Sequence, residues 1–242
     1  EYVLHILVMC GIYSILTLGL NLVVGYTGLI SIGHAAFFCV GAYISALLAL
    51  NVGVSPWIGL AAGACGAALL GAVIGAPSLR LKGDYLALAT FGAGVIVYQI
   101  AKNWVSLTRG PMGLPGIPGF SVFGFPLDST WSYLLLVIAV ALVTVFVLQR
   151  LVRSPYGRAL RSVREDEIAS EALGKHTAKY KLQVFVVGAL FAGIAGSLYA
   201  HYITFIDPSS FTVMESITVL LMVIFGGMAS VKGSLVGATT LV

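Results

Sequence analysis

The sequence predicts an all-α integral membrane protein, a polytopic bundle of seven or eight transmembrane helices. Apolar side chains make up 59% of the 242 residues and charged ones only 9%, and the mean hydropathy is +1.03. A soluble domain carries about 25% charged residues. No Asp, Glu, Lys or Arg occurs from Ile6 to Leu79, which is longer than three spans of about 20 residues. The composition therefore excludes a water-soluble globule.

Continuous apolar runs mark the spans. Helices are favoured over barrel strands, because a barrel needs alternating segments of about ten residues. The expected spans are 3–24, 35–51, 57–77, 85–104, 131–152, 182–204 and 213–230, with an eighth cut short after Ser234. We expect one transmembrane domain over residues 1–242 that includes a loop at 153–181. Both termini lie inside apolar stretches, so we expect a fragment trimmed at both ends.

The basic residues predict the orientation. Eight of the 13 Lys and Arg residues lie between Arg150 and Lys181. Cytoplasmic loops are enriched in Lys and Arg, so we expect this loop to face the cytoplasm. Alternating spans then place Arg80, Lys82 and Lys232 inside and leave only Lys102 and Arg109 outside. This asymmetry, 11 basic residues inside against two outside, supports the predicted orientation.

Several chemistries lack their motifs. No basic segment interleaved with aromatic residues supports nucleic-acid binding. Cys10, Cys39 and Cys65 are widely separated within apolar runs, which favours neither a disulfide framework nor a metal site. The segment 232–234 lacks the glycine spacing of a phosphate-binding loop. We therefore expect no catalytic residue, metal or cofactor.

A glycine-rich stretch without charged residues, 25–36, lies between the first two apolar runs. One interpretation is a short turn capped by Ser31. The other is a discontinuous element that faces a substrate, since broken backbone at membrane depth needs protein or a water-filled cavity around it. The free N–H groups of such a break can receive an anionic group. The candidate pathway residues are Asn21, Gly25, Tyr26, Gly28, Ser31, Gly33 and His34.

A second glycine-rich break is expected at 226–234, where Gly227 and Ser230 repeat the spacing of Gly28 and Ser31. Corresponding breaks in two halves are typical of internally repeated transporters. Chance similarity explains four positions equally well.

The loop 153–181 predicts a helix over 155–173, with Ser154 as cap, Pro155 in the first turn and Gly174 after the end. Such a helix serves either as a topological determinant or as a docking element for a cytoplasmic partner. The candidate coupling residues are Arg158, Arg161, Arg164, Glu165, Glu167, Glu171 and Gly174.

Two other classes of function, an intramembrane hydrolase and an ion-coupled carrier, stay open. An intramembrane hydrolase would pair Ser31 with His34, but residue 29 is Leu where a Gly-x-Ser-x-Gly motif needs glycine. An ion-coupled carrier usually places carboxylates in mid-membrane, and only Glu215 is a candidate.

Five stretches resemble one family, the membrane permeases of branched-chain amino-acid ABC importers, specifically the M-type subunit. They are GLNLVVGYTGLISIGHAAFF (19–38), KGDYLALAT (82–90), GRALRSVREDEIA (157–169), AGIAGSLYA (192–200) and FGGM (225–228). Residues 171–174 also resemble the Glu-Ala…Gly signature of permease loops that engage the ATPase. Arg109 stands where the family commonly has a second glycine, and Lys232 is unusual.

The resemblance implies an ABC-importer permease in a bacterial inner or plasma membrane that has no enzymatic activity. It would import leucine, isoleucine and valine, or in related permeases urea, other amides or other amino acids. The implied partners are a second homologous permease, two cytoplasmic ABC ATPase subunits and an external substrate-binding protein. The resemblance leaves open which substrate is transported and whether the two permease subunits are identical or different.

Overall fold

The structure, a computed structural model, describes residues 1–79, 81, 84–122, 125–126 and 129–242, without the side chains of residues 84, 122, 125 and 126. Arg80 and Lys82, predicted to lie inside, are outside this part of the chain. The helices are α1 Tyr2–Thr27, α2 His34–Leu47, α3 Pro56–Ser78, α4 Asp84–Asn103, α5 Val105–Thr108, α6 Thr130–Arg153, α7 Pro155–Glu165, α8 Glu167–Ala172, α9 Thr177–Ile203, α10 Val213–Gly226 and α11 Val231–Leu241. A π-helical turn, Leu48–Val52, extends α2.

Helices α1, α2, α3 and α9 form the centre of the bundle, and α9 contacts the other three. Small residues allow this packing: a Cβ at Gly63 of α3 would lie 2.6 Å from the Gly41 carbonyl oxygen of α2. Close backbone approach is how helices associate where lipid removes the hydrophobic driving force. Phe37 and Phe185 then fill the space between α2 and α9 with rings perpendicular to each other.

Six helices of the described chain are long and apolar enough to cross a membrane, namely Tyr2–Thr27, His34–Val52, Pro56–Ser78, Tyr85–Asn103, Thr130–Arg153 and Thr177–Ile203. They confirm the polytopic helical fold. Helices α4 and α6 lie at the edge of the bundle and expose apolar side chains such as Leu88, Phe91, Leu142 and Phe146, as expected for surfaces that face lipid.

The predicted seventh span, 213–230, is not one helix. Helix α10 has 14 residues and ends where Gly227 adopts φ +97°, and α11 begins only at Val231. A helix of this length covers about 21 Å, less than the ~30 Å hydrocarbon core. The glycine pair and the left-handed backbone of Ala229, φ +60°, explain why the apolar run does not continue as a helix.

Short strands lie at the end of the bundle opposite the basic loop. One strand pair joins the connection before α6 to the connection between α9 and α10, and the other pair lies within the connection before α6. β1, Leu114–Pro115, pairs antiparallel with β4, Phe205–Ile206, and β2, Ser121–Val122, pairs with β3, Phe125–Pro126. His201 fixes the first connection, because its Nδ1 donates to the Pro118 carbonyl at 2.6 Å while its Nε2 accepts from Ser45 at 2.8 Å. Arg109 has φ +57°, a conformation that glycine adopts without strain.

Candidate functional site

The basic loop contains two helices where the sequence predicts one over 155–173. The chain breaks at Asp166, whose extended backbone ends α7 and whose Oδ1 accepts the Ala169 N–H of α8 at 2.9 Å. Aspartate is a strong N-cap residue, and it competes here with continuation of the helix. Gly174 follows α8 with φ +79°, as predicted for a helix end. Ser154 precedes α7 but donates to the Leu151 carbonyl at 2.6 Å instead of capping α7.

The break divides the expected apolar stripe between two surfaces. Leu160 and Val163 of α7 are buried against the bundle. Beyond Asp166 the apolar residues turn outward, and the side chains of Ile168 and Leu173 are 74% and 77% exposed. We call the exposed set Ile168, Ala169, Ala172 and Leu173 the α8 patch.

Polar contacts hold α8 against the start of α9. Glu167 of α8 forms an ion pair with Lys181 of α9 at 2.5 Å. Thr177, in the first turn of α9, donates to Glu171 at 2.5 Å. These contacts attach α8 to the start of α9.

Two arginines of α7 contact the end of α1. Arg164 Nη1 donates to the Gly25 carbonyl oxygen. The Arg161 guanidinium lies 5.8 Å from the centroid of the Tyr26 ring, a cation–π distance. A Cβ at Gly28 would lie 3.3 Å from Arg164 Cγ, and Gly28 already requires φ +71°. The predicted coupling residues and the predicted first break therefore touch each other, a contact that no sequence pattern indicates.

Asn21 joins the first break to the second. Its Oδ1 accepts the Ala229 N–H at 2.9 Å, and its Nδ2 donates to the Ser230 carbonyl at 3.1 Å. The Asn21 side chain is buried, at 1% exposure. Gly25 leaves space for this bridge, since a Cβ there would collide with Asn21 Oδ1 and the Ala229 backbone. Asn21 therefore holds two interruptions of the helical backbone together.

The start of α2 does not offer the free amide groups that the sequence suggests. The Ile32 N–H donates to Thr90 Oγ1 of α4 at 3.1 Å, and the Ala35 N–H donates to Ser216 Oγ of α10 at 2.9 Å. Hydroxyl groups from two other helices occupy these donors, so in this structure an anionic substrate group has no access to these two amides. Gly33 packs directly against the Thr90 backbone.

Ser31 and His34 are both buried at 1% exposure. Within the described chain neither Ser31 Oγ nor His34 Nε2 has a hydrogen-bond partner, so the two do not form a nucleophile–base pair. The arrangement gives no support to a hydrolase.

Most candidate pathway residues lie inside the subunit. Asn21, Gly25, Tyr26, Ser31, Gly33 and His34 are buried, whereas Gly28 is exposed beside Ile30, which is 43% exposed. Of the coupling candidates, Glu167 is half-buried and Arg158, Arg161, Arg164, Glu165, Glu171 and Gly174 are exposed. The candidate pathway residues of the first break therefore pack inside the subunit at the end of α1. Among them only Gly28 is exposed, next to the exposed Ile30.

Comparison with protein families shows which family this chain belongs to. Residues 2–242 match the model of the branched-chain amino acid transport system / permease component family. The chain belongs to this family. It is therefore a multi-pass protein of the bacterial inner membrane, in a family of transport permease components rather than enzymes.

Three relatives show how far the similarity extends. The high-affinity branched-chain amino acid permease protein LivM of Escherichia coli K12 is 40% identical over 96% of this chain and 60% of its own length. The probable LivM of Methanocaldococcus jannaschii is 29% identical over 96% of this chain and 77% of that protein. LivH of Salmonella typhimurium is 26% identical over 95% and 79%. No solved structure matches.

The chain therefore spans about three-fifths of the length of the bacterial LivM relatives it matches.

Proposed function

We propose that this protein is a permease subunit of an ABC importer that moves leucine, isoleucine and valine across the inner membrane. The names of its relatives support this substrate class. Its partners would be a second permease related to LivH, two cytoplasmic ABC ATPase subunits and an external substrate-binding protein. ATP hydrolysis would take place entirely in the ATPase subunits.

The observation that carries the proposal is the contact of Arg164 with the Gly25 carbonyl. It connects a basic, exposed loop to an interrupted transmembrane helix. A movement of α7 would pull on the end of α1 through a hydrogen bond to a charged group, which is stronger than a neutral one. The loop therefore has a direct mechanical route into the membrane domain.

The α8 patch is the part of this loop that an ATPase would contact first. It presents exposed apolar side chains beside Glu171 at the end of the bundle. The ion pair between Glu167 and Lys181 passes any displacement of α8 to the central helix α9. Docking would thus act on α9 through α8 and on α1 through α7.

The bridge made by Asn21 extends this route to the second break. When the end of α1 moves, the hydrogen bonds to Ala229 and Ser230 move the connection between α10 and α11 with it. Both interruptions would then shift together during a transport cycle. Residues of the first break contribute to the pathway by positioning this connection, and substrate selection rests mainly with the external binding protein.

Reconstitution tests the proposal. The full-length protein is co-purified with its neighbouring permease and ATPase and placed in proteoliposomes with the binding protein outside and ATP inside. We expect ATP-dependent uptake of leucine, with urea as the competing candidate substrate. Uptake driven by a proton or sodium gradient in the absence of the ATPase would contradict the proposal, and so would uptake of urea but not leucine.

A further inference from the structure

A half-buried carboxylate of α10 contacts the middle of α1, at a depth where charge is costly. Glu215, in the first turn of α10, accepts a hydrogen bond from the Tyr13 hydroxyl of α1 at 2.5 Å. Tyr13 stands near the middle of α1, about 17 Å from its first residue. Carboxylates at such depth are rare, and they mark substrate or ion pathways.

Nothing basic neutralises Glu215 in the part of the chain that the structure describes. No nitrogen of Lys, Arg or His lies within 4.0 Å of its carboxylate oxygens. The Tyr13 hydroxyl binds Oε1, and Oε2 has no hydrogen bond among these residues. An ionised carboxylate in such a place requires a cationic partner or further donors.

Glu215 lines a cavity of about 360 Å³ between α1, α10 and α11. Its lining includes Ile6 and Met9 on α1 and Met222 on α10, together with His5, whose Nδ1 is hydrogen-bonded to the Tyr202 hydroxyl at 2.9 Å. The Thr218 hydroxyl, also in the lining, is already bonded to the Met214 carbonyl at 3.0 Å. The cavity thus offers one anionic group, oriented by a phenol, and an aliphatic wall formed by Ile6, Met9 and Met222.

The next residue, Ser216, shows that the cavity lies beside the N-termini of two helices, α2 and α10. Its Oγ accepts the Ala35 N–H, so the N-termini of α2 and α10 lie together inside the bundle. Transporters commonly bind their substrates where interrupted helices end within the membrane.

We propose that Glu215 and Tyr13 form a binding site for the ammonium group of the transported amino acid, with Ile6, Met9 and Met222 receiving its branched aliphatic side chain. The identity of the ligand rests on the proposed transport function. The ammonium group supplies the cation that the carboxylate lacks. The aliphatic wall suits a branched apolar side chain and holds it weakly enough for release.

Thiol protection tests the site in the full-length protein in membrane vesicles. Thr218→Cys, in a background with the exposed Cys65 replaced by Ala, places a reactive thiol in the cavity wall. The rate of modification by a small thiol reagent is measured with leucine, with isoamylamine, which keeps the ammonium group, and with isocaproate, which lacks it. We expect leucine and isoamylamine to slow modification and isocaproate to have no effect.

Two further variants separate charge from structure. Glu215→Gln preserves the shape and still accepts from Tyr13, so it tests the negative charge alone. We expect it to weaken protection by isoamylamine about tenfold or more, the loss expected for one charge-assisted hydrogen bond. Tyr13→Phe keeps the carboxylate and should retain most of the protection. Equal protection by isocaproate, absence of protection by isoamylamine, or undiminished protection in Glu215→Gln would overturn the site.

The assay needs neither ATPase nor binding protein, so its failure is distinguishable from failure of the proposed function. Loss of protection in a protein that still imports leucine with ATP overturns this site alone. Protection by isoamylamine in a protein that does not import leucine supports the ammonium site and overturns the transport assignment.

Discussion

Arg164 is the residue on which the connection between loop and membrane domain depends. Its guanidinium reaches the Gly25 carbonyl, a group near the end of α1, and its aliphatic stem covers Gly28. A lysine would supply charge without the planar fork that holds a carbonyl in a fixed direction. Arg150, an exposed arginine of α6 outside the candidate coupling residues, gives a matched comparison.

We expect Arg164→Gln to reduce leucine uptake about three- to tenfold in the reconstituted transporter, because the loss of one hydrogen bond to a charged group weakens the link to α1. ATP hydrolysis stimulated by the binding protein should change much less. Arg150→Gln, which removes an exposed arginine near the end of α6, should leave both activities near wild type. Equal effects of the two substitutions on uptake would contradict a specific role for Arg164.

Asn21 gives a prediction about stability. Asn21→Leu removes both hydrogen bonds of a buried amide and leaves the Ala229 N–H without its acceptor. An unsatisfied buried donor costs about 1–3 kcal/mol, so the melting temperature of the detergent-purified protein should fall. Asn103→Leu, which removes an exposed amide bonded to Gln99 at 2.9 Å, is the control and should have little effect. A melting temperature unchanged by Asn21→Leu would show that the two breaks are not held together by this bridge.

At the scale of elements, the two helices of the basic loop show what a sequence pattern can and cannot predict. Pro155 and Gly174 mark the start and the end of the helical region correctly. From the sequence, Asp166 could lie inside one charged helix or could cap a second helix. Which of the two occurs depends on whether the residues after it pack against another part of the protein. The ion pair of Glu167 with Lys181 settles this by fixing α8 to α9, a contact between residues 14 positions apart.

The α8 patch provides the prediction at this scale. The double substitution Ile168→Ser and Leu173→Ser should reduce co-purification of the ATPase about tenfold, because the two side chains are the exposed apolar part of the docking surface. Both are exposed, so the melting temperature of the permease should stay near wild type. Met112→Ser, which alters an 83% exposed side chain at the opposite end of the bundle, should retain the ATPase. Full retention of the ATPase by the double variant would place the docking surface elsewhere.

At the scale of the molecule, composition alone predicts the membrane bundle, because backbone N–H and C=O groups must find their partners within the protein in lipid, which leaves few architectures. Local signals predict the two breaks, since glycine-rich backbone does not propagate a helix. The contacts between distant segments are different: Asn21 with Ser230, Arg164 with Gly25 and Glu215 with Tyr13. Nothing in the spacing of these residues indicates their partners, because the pairing is set by how the helices pack.

The orientation of the whole bundle remains a prediction from the basic residues, and it is the one on which docking depends. We expect Glu171→Cys, in a background with Cys65 replaced by Ala, to react with a membrane-impermeant thiol reagent only after the cells are permeabilised. Met112→Cys should react in intact cells. Both positions are exposed at opposite ends of the bundle, and Cys10 and Cys39 are buried, so the two signals report the two faces separately. Labelling of Glu171→Cys in intact cells would place the basic loop outside, where no cytoplasmic ATPase can reach it.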